Sequence, residues 1–156
     1  MSKHWLSLAV PALVLLTGAC ATAGLGFRVD DRVDIVAPGE RDEVELPLTI
    51  RWEAHDIEGT FGVFVDRSPQ PPGKSLSWFS DDECDAQPGC PDAAYLAQRD
   101  IYTTNEHSLT IERVVEPVEK KRCHMHEATI VLLDADGRRK GESAWSVEFR
   151  LCDDRR

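Results

Sequence analysis

The run Cys123-His124-Met125-His126 sets a thiol, a thioether and two imidazoles in four consecutive positions, the donor chemistry of a copper site. On a regular strand alternate side chains point to opposite faces, so Cys123 and Met125 look one way, His124 and His126 the other. A periplasmic copper-type metal site on His124, Met125 and His126 therefore needs irregular backbone; the plainer expectation is a strand end with exposed histidines. His126-Glu127 opens like the His-Glu-x-x-His of zinc proteases, but Ile130 stands at the second histidine position and the stretch is patterned as a strand. Asp134-x-Asp136-Gly137 begins like a calcium loop, yet Arg138 replaces the next oxygen ligand and Trp145 holds the twelfth position, so it reads as a hairpin turn. The acidic run Asp81-Asp82-Glu83-Cys84-Asp85, with Asp92 nearby, offers oxygen ligands to calcium or forms a solvated charged loop. Gly-x-Ser-x-Gly and Ser-x-x-Lys motifs are missing, as is a glycine-rich phosphate cradle. Neither a catalytic residue nor a cofactor is expected.

Cysteine spacing is more informative. Besides Cys20 there are Cys84, Cys90, Cys123 and Cys152, an even set that in an exported chain reads as two disulfides. With Gly137 and Arg138 at the centre of the final hairpin, Cys123 falls opposite Cys152 and Ile130 opposite Trp145. Ala128, Ile130 and Leu132 then share a face with Trp145, Val147 and Phe149, as a core demands. Cys123–Cys152 is the expected bond, leaving Cys84–Cys90 to close a short loop around Pro88-Gly89. The same register opposes Glu127 to Glu148, a repulsive pair.

These residues need a scaffold, and the apolar period supplies it. Leu46, Leu48, Ile50 and Trp52 alternate with Pro47, Thr49, Arg51 and Glu53. Phe61, Val63 and Val65 do likewise, as do Leu109 and Ile111, and Trp145, Val147, Phe149 and Leu151. Val33-Asp34-Ile35 and Ile101-Tyr102-Thr103-Thr104 are shorter candidates; Ser75-Leu76-Ser77-Trp78-Phe79 is a weaker one. Only residues 91–98 look helical, with Pro91 at the first helical position. About seven short strands, turn signals between them and one short helix in a loop predict an all-β sandwich over residues 33–152, with 153–156 as a tail. Its exposed loop, residues 68–98, carries Trp78, Phe79 and Tyr95 as candidate partner-binding aromatics, or as caps on the edge of the core. The chain holds 18 basic and 28 acidic residues. That balance repels phosphate backbones and argues against a nucleic-acid partner.

Two resemblances add an address and a fold type. Lys3 and His4 precede an apolar stretch from Trp5 to Leu16, too short for a permanent membrane span, followed by Thr17-Gly18-Ala19-Cys20. The stretch LLTGAC resembles the lipobox of bacterial lipoproteins, with Thr17 in place of the usual leucine. The resemblance implies a signal peptide over residues 1–19, a lipidated Cys20 as first mature residue and a flexible tether over 20–32. Ala19-Cys20-Ala21 also fits an ordinary secretory cleavage site; both readings export the chain. The strand spacing, with Trp52 on an early strand, is similar to immunoglobulin and fibronectin type III domains, which implies binding or spacing rather than catalysis. The expectation is a module anchored by lipid to a membrane of the cell envelope, on its extracytoplasmic face, serving a protein or envelope ligand.

Overall fold

The period of two carries directly into strands. In the computed structural model, which describes residues 30–114 and 122–152, Leu48, Ile50 and Trp52 are buried while Thr49, Arg51 and Glu53 are exposed. Eight strands result: β1 (Val33–Ala37), β2 (Glu43–Val44), β3 (Leu48–Ala54), β4 (Thr60–Val65), β5 (Ile101–Thr104), β6 (Ser108–Ile111), β7 (Cys123–Leu133) and β8 (Trp145–Cys152). They form two sheets, β1-β3-β6 and β2-β8-β7-β4-β5. The fold is therefore an all-β sandwich. Every pairing is antiparallel except β2 with β8.

One core lies between the sheets. Val33, Leu48, Ile50, Trp52 and Ile111 meet Phe61, Val63, Ala128, Ile130, Val147 and Phe149 from the other sheet. Trp52 packs edge-on against Phe61, ring centroids 5.4 Å apart, the favoured geometry for two quadrupolar rings. A second core covers the back of the five-stranded sheet. Phe64, Val131 and Leu133 pack there with Leu96 and Ile101, flanked by Leu76, Phe79 and Tyr95. Central strands β4 and β7 are consequently buried on both faces over Phe61–Val65 and Thr129–Leu133. Gly62 sits on the back face, where a Cβ would come within 2.9 Å of the Phe64 ring.

The β7–β8 ladder has the expected register, Cys123 opposite Cys152 through Ile130 opposite Trp145. The turn itself differs. Gly137 donates its N–H to Asp134 and Asp134 donates to Arg138, so the turn centres on Asp136, with Leu133 bridged to Arg139. Three extra residues before Trp145 then restore the register of the ladder. Three further expectations are corrected. Ser75–Phe79 is not a strand: Leu76–Phe79 is a 3-10 turn, since Trp78 and Ser80 bond back to Ser75 and Ser77. Leu46 lies outside β3 and is exposed. The helical loop holds two turns, α1 (Asp82–Asp85) and α2 (Ala93–Ala97), and α2 starts after Pro91 with Asp92 as its cap.

The strand directions separate two poles. Residue 30, the start of β1 and β8, and the 134–144 connection lie at the entry pole. Cys123, Cys152 and the ends of β1 and β4 lie at the far pole.

Candidate functional site

The layer over residues 66–100 holds most of the polar chemistry. Asp81 accepts the Cys84 N–H at 2.9 Å and caps α1; Asp92 accepts the Tyr95 N–H at 2.7 Å and caps α2. Arg99 joins the two turns. Its guanidinium lies 3.5 Å from the centre of the Tyr95 ring and donates to Asp81 at 2.7 Å. The Tyr95 hydroxyl donates to the Phe79 carbonyl and accepts the Asp81 N–H. The Cys84 N–H foremost, then the Tyr95 hydroxyl and Arg99, hold the Asp81 carboxyl below the usual carboxylate range. Loss of water pushes the Tyr95 phenol up. With the Cys84–Cys90 disulfide, these residues frame an open cleft of about 410 Å3, whose carboxylates include Asp81, Glu83 and Asp92. Asp81 is paired with Arg99 and Asp92 Oδ1 is taken by the Tyr95 N–H, which leaves Glu83 and the second Asp92 oxygen to accept a polar or cationic group.

Trp78, Phe79 and Tyr95 do not form one surface. Phe79 leans on Phe64, centroids 5.7 Å apart, and Tyr95 packs into the same second core, so both cap the sheet. Trp78 alone of the three points outward, 57% exposed, with the Lys74 ammonium 6.0 Å from its ring.

At the far pole Cys123 is bonded to Cys152. Met125 is 48% exposed and lies on the opposite face of β7 from His126. His126 is 4% exposed, not an exposed histidine. Its ring stacks on Phe149 and its Nδ1 lies 2.6 Å from Asp66 Oδ2. Asp66 is fixed in turn: φ is +53°, its Oδ1 accepts the Glu127 N–H and its own N–H donates to the Glu127 carbonyl. His124, Met125 and His126 thus do not converge. Among the described residues no three His, Cys, Asp or Glu side chains gather closely enough to hold a metal ion. A second groove, about 500 Å3, runs past Asp66, Ser68, Glu127, Thr129 and Ser146. Glu127 does oppose Glu148, and Arg41, 3.7 Å from Glu148, offsets that repulsion.

Cys20 and the rest of the leader and tether, residues 1–29, lie outside the described residues, as does the tail over 153–156. Residues 30–32, read as tether, are docked. The Trp145 indole donates to the Asp30 carbonyl at 2.6 Å, and Ser143 donates to the Asp30 carboxylate. Arg32, bonded to that carboxylate at 2.6 Å and 2.8 Å, is the main force holding its pKa far below the usual range; Ser143 adds to it. The unfolded Asp30 protonates near about 4, whereas the folded one does so only at much lower pH. Its contribution is therefore complete above about pH 4 and declines as pH falls toward the folded value. We expect Asp30→Asn to lower stability in urea at pH 7, and the gap from wild type to shrink at pH 3; a gap that widens in acid would contradict the assignment.

Three features escaped the sequence. The second core was signalled by the unbroken apolar runs Phe61–Val65 and Ile130-Val131-Leu132-Leu133, which one-sided strands do not show. Asp66 as partner of His126, and Arg99 as the link between α1 and α2, join residues far apart in sequence and leave no local pattern. Comparison of the chain with protein-family models, with curated proteins and with solved structures gave no match.

Proposed function

We propose that the chain is a lipid-anchored binding or scaffolding module of the bacterial cell envelope, held to a membrane through Cys20 on the extracytoplasmic face and acting by contact rather than catalysis. The observation that carries this reading is the pair of disulfides, Cys84–Cys90 and Cys123–Cys152, because such bonds persist in oxidising compartments outside the cytoplasm. Strand order supports the finer identity. Taken in sequence, β1, β3 and β6 occupy the places of strands A, B and E of an immunoglobulin-like or fibronectin type III-like domain, and β4, β7 and β8 those of C, F and G. In this reading the rigid sandwich presents the helical layer and its cleft, where loops on a fixed scaffold do the binding.

Mass spectrometry of the full chain produced in a bacterium tests the anchor. The mature N-terminal peptide should begin at Cys20 and carry a diacylglycerol, and the protein should fractionate with membranes. Cys20→Ser should abolish both lipid and membrane retention. An uncut leader, or cleavage after Ala21 without lipid, would overturn the reading.

A further inference from the structure

We propose that the Cys84–Cys90 disulfide is a redox-sensitive latch on the wall of the cleft, opened by thiol attack at Cys90 Sγ. The carboxylates around it admit thiols of little negative charge and turn anionic ones away. This concerns the cleft itself and stands whether or not Cys20 carries lipid. Cys84 is 1% exposed, whereas Cys90 is only half-buried and lines the open cleft beside Gln87, Pro88 and Gly89. An incoming thiolate therefore reaches one sulfur of the two. It bonds to Cys90 Sγ as the S–S bond breaks, and Cys84 leaves with the electron pair and takes up a proton. A second thiolate then displaces Cys90 from the mixed disulfide, giving two cysteine thiols and one oxidised dimer of the reductant.

Charge guards the approach to Cys90. Asp82, Glu83 and Asp85 surround Cys84 in α1, and Asp92 follows Cys90 by two places; all four carboxylates are exposed. None makes an ion pair with a described residue, and Arg99, the cation of the cleft lining, is already bound to Asp81 at 2.7 Å. A thiolate nearing Cys90 therefore meets a negative potential, which lowers its local concentration more steeply the more charge it carries. Cys123–Cys152 provides the contrast in the same molecule. Arg122 and Arg150 flank it as well as Asp153 and Asp154, so its surroundings are near balance.

Opening the bond frees only part of the wall. Asp81 still caps α1 through the Cys84 N–H, Asp92 still caps α2 through the Tyr95 N–H, and Arg99 still ties Asp81 to the Tyr95 ring. Residues 86–91 are released between these two fixed turns, keeping short-range bonds such as that from the Gln87 N–H to the Cys84 carbonyl. Gln87, Pro88 and Gly89 line the cleft, so the state of the bond sets its width without unfolding the sandwich.

The test uses the full chain, its free thiols first blocked with N-ethylmaleimide. It is then reduced at low salt by cysteamine, mercaptoethanol or mercaptoethanesulfonate, whose thiolates are zwitterionic, singly negative and doubly negative. Quenching with iodoacetamide in denaturant and peptide mass spectrometry follow each bond, and comparing the two bonds cancels the intrinsic reactivity of each thiol. We expect the preference for cysteamine over mercaptoethanesulfonate to be roughly tenfold greater at Cys84–Cys90 than at Cys123–Cys152. This excess should collapse in molar salt, and in a variant combining Asp82→Asn, Glu83→Gln and Asp85→Asn whose folding is checked by near-UV circular dichroism. Early in the reaction the reductant should be trapped on Cys90 with Cys84 alkylated. Amide exchange in the Cys84→Ser, Cys90→Ser protein, which mimics the open bond, should quicken over residues 86–91 alone. Equal thiol preference at both bonds, or an excess that persists in molar salt, overturns the electrostatic guard. An adduct on Cys84 overturns the point of attack. Faster exchange throughout residues 76–99 marks the bond as a structural staple and overturns the latch. None of these results depends on the lipid at Cys20, whose test is separate.

Discussion

Replacing Cys123 and Cys152 together with serine should lower the unfolding free energy by about 3–4 kcal/mol, the chain entropy released by opening a loop of this size. Cys84 and Cys90, only six residues apart, close a much smaller loop, and their double replacement should cost about 2 kcal/mol at most. Urea or thermal unfolding measures both; the first variant should melt roughly 10–15 °C below wild type. The asymmetry has a structural source. Cys123 and Cys152 are directly opposed on β7 and β8, two inner strands of the five-stranded sheet that contribute Ala128, Ile130, Val147 and Phe149 to the core between the sheets. The small bond shapes only the wall of the cleft beside α2. Equal losses from the two double variants would contradict this division.

Phe64→Ala should cost about 3–5 kcal/mol, since the ring is fully buried and its removal leaves a cavity in the second core. Its location makes the change diagnostic. Phe64 touches Phe79 and shares the second core with Leu96, Ile101, Val131 and Leu133, on the face of β4 opposite Phe61 and Val63. The helical layer should therefore loosen first. Amide exchange over residues 76–99 should quicken well before exchange in β7 and β8, and limited proteolysis should cut within that layer. Uniform loss of protection across both sheets would mean that the two cores unfold as one.

How much of this was legible from the chain depended on range. The β7–β8 register follows from a turn centre at Gly137-Arg138 and is supported by parity, because a slip of one residue would take Ala128, Ile130 and Leu132 off the face of Trp145, Val147 and Phe149. It survived an incorrect turn centre, because the three extra residues were absorbed between Arg139 and Trp145 and the ladder kept its alignment. β2 could not be seen, for two residues have no period. Ser75-Leu76-Ser77-Trp78-Phe79 alternates like a strand, yet Leu76 packs 3.4 Å from the Gly137 Cβ position and Phe79 reaches Phe64, contacts that a tight turn satisfies. At the candidate sites, individual residues were visible but their company was not. Alternation alone separated Met125 from His126, while burial of His126 against Phe149 and Asp66 required the closed sandwich.

The two poles have a mechanical consequence. The described chain enters beside the start of β1 and leaves at the end of β8, some 26 Å away along an eight-residue strand. Tension applied between those ends runs parallel to the strands, so the hydrogen bonds of β1 with β3 and of β2 with β8 lie crosswise to the pull and resist together instead of peeling in succession. The Cys123–Cys152 bond sits at the tip farthest from the entry and rivets β8 to its neighbour there. A domain so arranged transmits force along its length while holding its shape.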